Sequence, residues 1–200
     1  MPKRNSELVF IKKMTRLLDL FFSALGLITL SPIIALILIL GWVDTRSPIF
    51  YQKRVGREQK TFVLLKFRTM KINTASIASH LADSNSITRI GHFLRRAKLD
   101  ELPQLWNVLR GEMSLVGPRP CLPNQVKLIR ERNKFGIYKV RPGITGLAQT
   151  RGIDMSTPEL LAATDAEMIK TLNLKNYFKY ILLTILGKGF GDRIKNKKRL

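Results

Sequence analysis

Leu20 to Val43, LFFSALGLITLSPIIALILILGWV, restricts what this chain can fold into more than any other stretch. It carries no charge and runs for about two dozen residues, and a bilayer core needs about 20. Ser31-Pro32 falls at its middle, where a proline removes a backbone donor and kinks a helix. Both flanks are basic: Lys3, Arg4, Lys12, Lys13 and Arg16 precede the run, and Arg46, Lys53, Arg54 and Arg57 follow it. Lys and Arg favour the cytoplasmic side of a membrane. A straight spanning helix with a tolerated proline would put one basic cluster outside. A re-entrant helix, about 17–43, that bends at Ser31-Pro32 and leaves by the face it entered keeps both clusters inside. The backbone groups freed at the bend then need a partner, for which the Ser31 hydroxyl is one candidate. A buried soluble helix fits less well, because the run is apolar on every face. A cleaved signal peptide also fits poorly, since the run is too long and no small-residue cleavage site follows it.

The rest of the chain is strongly basic, with 35 Lys and Arg against 14 Asp and Glu and a formal net charge of +21. Such a balance implies anionic partners: nucleic acid, an anionic membrane surface or phosphate-rich small molecules. The single cysteine, Cys121, rules out an internal disulfide and fits a reducing compartment. His80 and His92 with one Cys cannot build a His/Cys zinc site.

Beyond the apolar run, SPIFYQKRVG and TFVLLKFRTM read as two strands of a hairpin around REQK. KINTASIASHLADSNS is polar and reads as a mobile loop or short helix. From Arg89 the apolar spacing turns helical, first through Ile90, Phe93, Leu94 and Ala97, then through Leu102, Leu105, Trp106 and Leu109, with Gly111 as the stop. SLVGPRPCLP holds three prolines and a glycine and is expected to be irregular. VKLIRERNKFGIYKV reads as a basic amphipathic helix, RPGITG as a turn, and the segment from Thr157 as one or two helices before a basic tail, GDRIKNKKRL.

Asp100 and Glu101 stand where one helical pattern stops and the next begins, among Arg95, Arg96 and Lys98. One reading is structural: Asp100 caps a helix that has Pro103 in its first turn, and Glu101 complements the helix dipole. The other is chemical. A carboxylate in a cationic field stays ionised and is a competent nucleophile. The same field holds an anionic phosphate, and two neighbouring carboxylates can share a Mg²⁺ ion with substrate phosphates. Asp100, Glu101, Arg95, Arg96 and Arg119 would then form a phosphoryl-transfer constellation. Spacing alone leaves both readings open.

KLDELPQLWNVLRGEMSLVGPRP resembles the signature of the bacterial sugar transferases, the monotopic phosphoglycosyl transferases. RLLDLFF, Ser31-Pro32, YQKRVGR, KFRTM, RIGHFLRR and RPGITGLAQ follow in the family's order, so the resemblance covers roughly Lys12 to Gln149. The chain is similar to the small form, without the extra N-terminal membrane segments of larger members. The resemblance implies transfer of a phosphosugar from a UDP-sugar to polyprenyl (undecaprenyl) phosphate at the cytoplasmic face of the bacterial inner membrane. The product would be the first lipid-linked intermediate of a surface glycan. It implies a ping-pong route in which Asp100 attacks the sugar-bearing phosphate, UMP leaves, and the lipid phosphate displaces the aspartate. Glu101 would position Mg²⁺ or assist the acceptor, and Arg95 and Arg119 would contact phosphates. A helix broken at Ser31-Pro32 is re-entrant in the small form. The chain departs from the family at Leu147, at TRGID and around Asp165, Met168 and Asn176, in the third expected to shape the sugar pocket; an N-acetylated hexose derivative is the expected sugar.

Lys66 and Arg68 alternate with apolar residues and would by themselves read as a solvated strand face; the resemblance makes them candidates for contacting the nucleotide sugar. Arg119 is flanked by Pro118 and Pro120, which hold its backbone and aim its side chain. Arg141 belongs to a turn and is a weaker phosphate candidate. His92 reads as a surface residue, Cys121 as packing, and the tail as a contact for membrane lipid headgroups. The expected fold is α+β, mostly α, with a membrane-anchoring segment at 1–45 and a cytosolic catalytic domain at 46–200. That domain would carry the β-hairpin and interfacial amphipathic helices. The alternatives are a membrane-tethered basic protein that binds anionic lipid or nucleic acid without chemistry, and a phosphohydrolase of nucleotide sugars. No recognisable nucleic-acid module supports the first. The oligomeric state is left open.

Overall fold

A proline cannot donate a backbone hydrogen bond, so Pro32 leaves the Ile28 carbonyl without its usual helical partner. The chain answers with side chains. Ser31 Oγ donates to Ile28 O at 2.8 Å, and one turn earlier Thr29 Oγ1 donates to Leu25 O at 2.8 Å. The apolar run therefore forms two helices, α1 (Pro2–Thr29) and α2 (Ser31–Thr45), bent by 63°. The expected role of the Ser31 hydroxyl is met. No single helix among the described residues is long and apolar enough to cross a membrane, whereas the bent pair is, by length and composition. The outer faces of both arms expose Leu17, Phe21, Leu25, Ile28, Leu36, Ile39 and Val43 to solvent. The inner face of α2 buries Ile37 with Phe67 and Leu94.

In this computed structural model residues 2–74 and 83–187 are described. Half of the polar stretch between Lys71 and Ser86 and the whole basic tail lie outside the described residues. The hairpin forms as the alternation predicts: β1 (Ile49–Val55) pairs antiparallel with β2 (Thr61–Phe67), from Ile49 opposite Phe67 to Val55 opposite Thr61. The helical spacing that begins at Arg89 yields α3 (Arg89–Arg96) and α4 (Gln104–Leu109), and Gly111 supplies the positive φ that ends the second. The basic amphipathic stretch is α5 (Val126–Lys134), and the C-terminal part is two helices, α7 (Pro158–Thr171) and α8 (Leu174–Ile185), after a short α6 (Leu147–Thr150).

One expectation fails here. Ser114–Val116, read as irregular, is a strand, β3, and part of the RPGITG turn is its parallel partner β4 (Gly143–Thr145). The two chains approach so closely that a Cβ on Gly143 would fall on the Gly117 backbone. Only glycines allow this crossing, which brings the Pro118–Pro120 loop against the hairpin: Val55 N donates to Cys121 O at 2.9 Å. The result is a mostly helical α+β fold with two two-stranded sheets. Around the hairpin edge, Val55, Cys121, Leu128 and Tyr138 form one core cluster; β3, α7 and α8 enclose another, with Val116, Met168 and Tyr177. Each fully buried side chain of this size contributes about 1.5–3 kcal/mol.

Candidate active site

Thr88 caps α3 by accepting from Gly91 N at 2.9 Å, and the helix ends at Ala97. Lys98 then adopts a left-handed conformation, φ +56°, which costs a non-glycine residue about 1 kcal/mol or more. Its ammonium donates to Thr184 O at 3.1 Å, which holds the reversal. The chain turns back into a 3₁₀ turn, Leu99–Glu101, that presents the two adjacent carboxylates. Asp100 does not cap α4: the helix starts at Gln104, preceded by Pro103, and has no side-chain cap. The capping reading is therefore corrected. Asp100 instead points into the protein and is only 5% exposed.

Glu101 is the hub of an ion-paired cluster. Its Oε1 lies 2.6 Å from Arg119 Nη2 and 3.6 Å from Lys66 Nζ. The side chains of Lys66, Glu101 and Arg119 are 7%, 12% and 15% exposed, so their attractions are weakly screened by water. Lys66 is thus no solvated strand residue; β2 turns it inward. Asn107 of α4 fixes the strand by accepting from Leu65 N at 3.0 Å and donating to Val63 O at 2.8 Å. Two buried arginines hold the backbone of the Pro118–Pro120 loop. Arg54 Nη1 donates to Pro120 O at 3.0 Å, and Arg132 Nη1 donates to Arg119 O at 2.8 Å. Arg132 is itself paired with Asp165, Nη2 to Oδ2 at 2.7 Å, with both side chains almost fully buried. Burial pushes the Asp165 carboxyl above its ordinary range, and the Arg132 charge and hydrogen bonds pull it only partly back. Asp165 therefore stands behind the loop rather than on an open pocket, and Met168 turns its sulfur to Leu147 N at 3.2 Å.

The remaining candidates are spread around this cluster. Arg95 Nε donates to the buried Thr69 Oγ1 at 2.8 Å, two residues past the end of β2. Arg68 donates to Ser47 O at 2.8 Å and lies over the Phe50 ring, a contact that ties the end of β2 to the start of β1. Arg141 stands with another set of cations. It donates to Gly111 O at 2.8 Å and lines a cavity with Arg16 and Arg57, and none of its contacts reaches the acidic pair. His92 is exposed and Cys121 is buried, as expected. Sequence reasoning missed Thr69, Asn107, Arg54 and the Arg132–Asp165 pair. Nothing local distinguishes Arg132 from the other cations of a basic amphipathic helix.

Among the described residues no group of three or more His, Cys, Asp and Glu could hold a metal ion. The two carboxylates at 100 and 101 are the number that Mg²⁺ takes from a protein when substrate phosphates and water complete its shell, so the donor set fits that ion.

The family model of the bacterial sugar transferases matches residues 10–189. An Erwinia amylovora protein named UDP-galactose-lipid carrier transferase is 37% identical over 181 residues, 81% of this chain and 38% of that protein. A Caulobacter vibrioides protein named UDP-glucose:undecaprenyl-phosphate glucose-1-phosphate transferase is 37% identical over 180 residues, 85% of this chain and 67% of its own length. A Bacillus subtilis protein, provisionally named as an undecaprenyl-phosphate N-acetylgalactosaminyl 1-phosphate transferase, is 45% identical over 111 residues, 54% of this chain and 62% of that protein. The chain thus spans well under half the length of the Erwinia relative.

Proposed function

This chain belongs to the bacterial sugar transferase family, and from that premise we propose that it transfers a phosphosugar from a UDP-sugar to polyprenyl phosphate at a membrane surface. The observation that carries the reading is the ionic cluster of Glu101, Arg119 and Lys66 directly beside Asp100. A diphosphate repels an approaching carboxylate, so cations must first neutralise it. In the first step an Asp100 oxygen bonds to the sugar-bearing phosphorus, the bond from that phosphorus to the bridging oxygen breaks, and UMP leaves with the electron pair. In the second, an oxygen of the lipid phosphate attacks the same phosphorus and the aspartate leaves as carboxylate. Lys66 and Arg119 hold Glu101 in place and supply positive charge next to the reacting phosphate, with Arg95 as a further phosphate contact. Asp100 and Glu101 would hold Mg²⁺. When bound, that ion supplies charge neutralisation at the diphosphate. The narrow exposure of Asp100 keeps bulk water from the acyl phosphate.

The α1–α2 pair would sit in the membrane as a re-entrant element, with the catalytic body on the cytoplasmic face. The exposed apolar flanks of both arms, the 63° bend and the hydroxyl-satisfied break at Ser31 support that arrangement. Single cysteines at the exposed positions Lys13 and Lys53 should both react only with a reagent applied from the cytoplasmic side. Labelling from opposite sides would make the pair a spanning helix. The relatives are named for different sugars, galactose, glucose and N-acetylgalactosamine. An N-acetylated hexose on UDP is the donor we propose to try first.

The experiment is a single-turnover incubation of the full chain with a panel of UDP-sugars and Mg²⁺, without lipid acceptor. UMP release should stop at about one equivalent of enzyme, and the protein mass should rise by one phosphosugar. Asp100→Asn should abolish both. Continuous UMP release would mean a hydrolase, and no release with any donor would mean a binding protein.

A further inference from the structure

A cavity of about 250 Å³ opens at the C-terminal end of α4, lined by neither Asp100 nor Glu101. Five cations reach its wall: Lys12 and Arg16 from α1, Arg57 from the hairpin turn, and Lys139 and Arg141 from the segment before β4. Asp19 is the one carboxylate among the lining residues, and it already accepts from Leu115 N at 2.9 Å and Tyr177 Oη at 2.8 Å. Two of the guanidinium groups are fixed by backbone carbonyls. Arg16 donates to Val108 O at 2.9 Å and Leu109 O at 3.3 Å, and Arg141 donates Nε to Gly111 O at 2.8 Å. The terminal amino groups of Arg141 meet no acceptor among the described residues. Burial, with Arg16 and Arg57 close by, lowers the Arg141 pKa from its ordinary value. Arg57 also pairs with Glu58 at 3.3 Å, which leaves a positive excess on the wall. Two fixed guanidinium groups beside further cations repel one another, and an anion with several acceptor oxygens relieves that repulsion.

The other wall is apolar, formed by Ile11, Val116, Ile169 and Leu172. Past Arg16, α1 exposes Leu17, Leu20, Phe21, Leu25 and Ile28, and before Lys12 it also exposes Phe10. The cations therefore stand at the height where a helix dipping into a bilayer would pass the headgroups. We propose that this cavity is a second anion site, separate from the acidic pair, which takes the phosphate of an anionic membrane lipid headgroup. The phosphate oxygens would face Arg141, Arg57 and Lys139, and the glycerol end would lie along Ile11 and Ile169. The site needs none of the transfer chemistry. It does rest on α1 entering a membrane for its lipid occupant, and a soluble phosphate probe separates that assumption from the charge argument.

The test uses the full chain in neutral detergent, titrated calorimetrically with short-chain phosphatidylglycerol, short-chain phosphatidylcholine and inorganic phosphate. Arg57→Gln/Lys139→Gln removes two exposed cations of the cavity; Lys127→Gln/Lys134→Gln removes two exposed cations of α5 and controls for net charge. Phosphatidylglycerol should bind saturably at one site, about tenfold or more weaker in the cavity variant and within about twofold of the parent in the control. Equal weakening in both variants, or no saturable binding, would overturn the site. Inorganic phosphate binding as tightly as the lipid would overturn the lipid occupant while supporting the phosphate site. Single-turnover UMP release by the same two variants shows whether the acidic pair is intact, so the two readings fail separately.

Discussion

Two charged regions lie at opposite ends of the short helix α4, and they are held in different ways. Before its first residue, Asp100 and Glu101 sit in a shell of buried or nearly buried ionic partners: Lys66, Arg119 and, behind Arg119, the Arg132–Asp165 pair. Past its last residue, Arg16 and Arg141 are held by the carbonyls of Val108, Leu109 and Gly111, while Lys12, Arg57 and Lys139 remain exposed. At the acidic end, charges neutralise one another and fix geometry. At the basic end, backbone dipoles fix the geometry and leave net charge over. An acidic cluster already matched by cations suits reacting atoms, which need placement. A cavity with five cations against Asp19, and Glu58 paired to Arg57, keeps a positive excess and suits a ligand that supplies its own charge. The Gly117–Gly143 crossing joins the two regions, since the loop that leaves it carries Arg119 toward one and Pro118 toward the other.

The largest expected effect that separates the two ends comes from Arg132. Removing one partner of a buried ion pair leaves the other uncompensated, which costs about 3–5 kcal/mol. Arg132→Met should therefore melt far below the parent in a thermal scan in neutral detergent. Arg132→Met/Asp165→Leu removes both charges and should recover most of that stability. It does not restore the hydrogen bond to the Arg119 carbonyl. As a positioning residue, Arg132 predicts that this stable double variant still loses kcat, by about tenfold or more, with KM little changed. Phosphate binding at the basic cavity should stay at the parental level. Full activity in the double variant would mean that the prolines alone aim Arg119.

The regions differ equally in how well the sequence reveals them. The hairpin is legible because β1 and β2 are neighbours in sequence with a polar turn between them, and α3 and α4 because their apolar residues recur at helical spacing. The broken helix is legible for the same local reason, including the hydroxyl that answers the proline. β3 and β4 are three residues each, are separated by 26 intervening residues, and are hidden among prolines and glycines whose usual meaning is a turn. Lys66 alternates like a surface residue; what turns it inward is Glu101, 35 positions later. Arg141 reads from its turn as a weaker phosphate candidate; the fold ties it to the Gly111 carbonyl and sets it beside Arg16 and Arg57. Local pattern gives elements and the candidate nucleophile. Charge pairing across the fold decides which cations stand beside it, and no short window of sequence contains that information.

The smallest expected effect probes each end through its own buried phenol. Tyr177 donates to Asp19 at 2.8 Å on the basic side, and burial together with the Asp19 charge pushes its pKa well above the ordinary value. Tyr138 lies 3.5 Å from Cys121 beside Arg132, and there burial and Cys121 push upward while Arg132 pulls down. In the unfolded chain both phenols lose their protons near pH 10. In the folded chain both keep them to higher pH, so above about pH 10 the folded state binds more protons than the unfolded one. Each raised phenol thus contributes stability that is fully present below about pH 10 and is lost as pH rises through its folded value. The loss is at most about 1.4 kcal/mol per pH unit for each phenol. Melting temperatures measured from pH 8 to 11 should fall with growing slope in the parent, and either Tyr→Phe change should flatten that slope. At neutral pH, Tyr177→Phe deprives Asp19 of a donor and should cost about 1 kcal/mol, and Tyr138→Phe loses the thiol contact together with its hydrogen bond with Arg132 and should cost a similar amount. If Tyr177→Phe leaves the neutral melting temperature unchanged, the Asp19 carboxylate is satisfied without the phenol, and the basic end has a spare counter-charge that the empty-cavity argument does not allow.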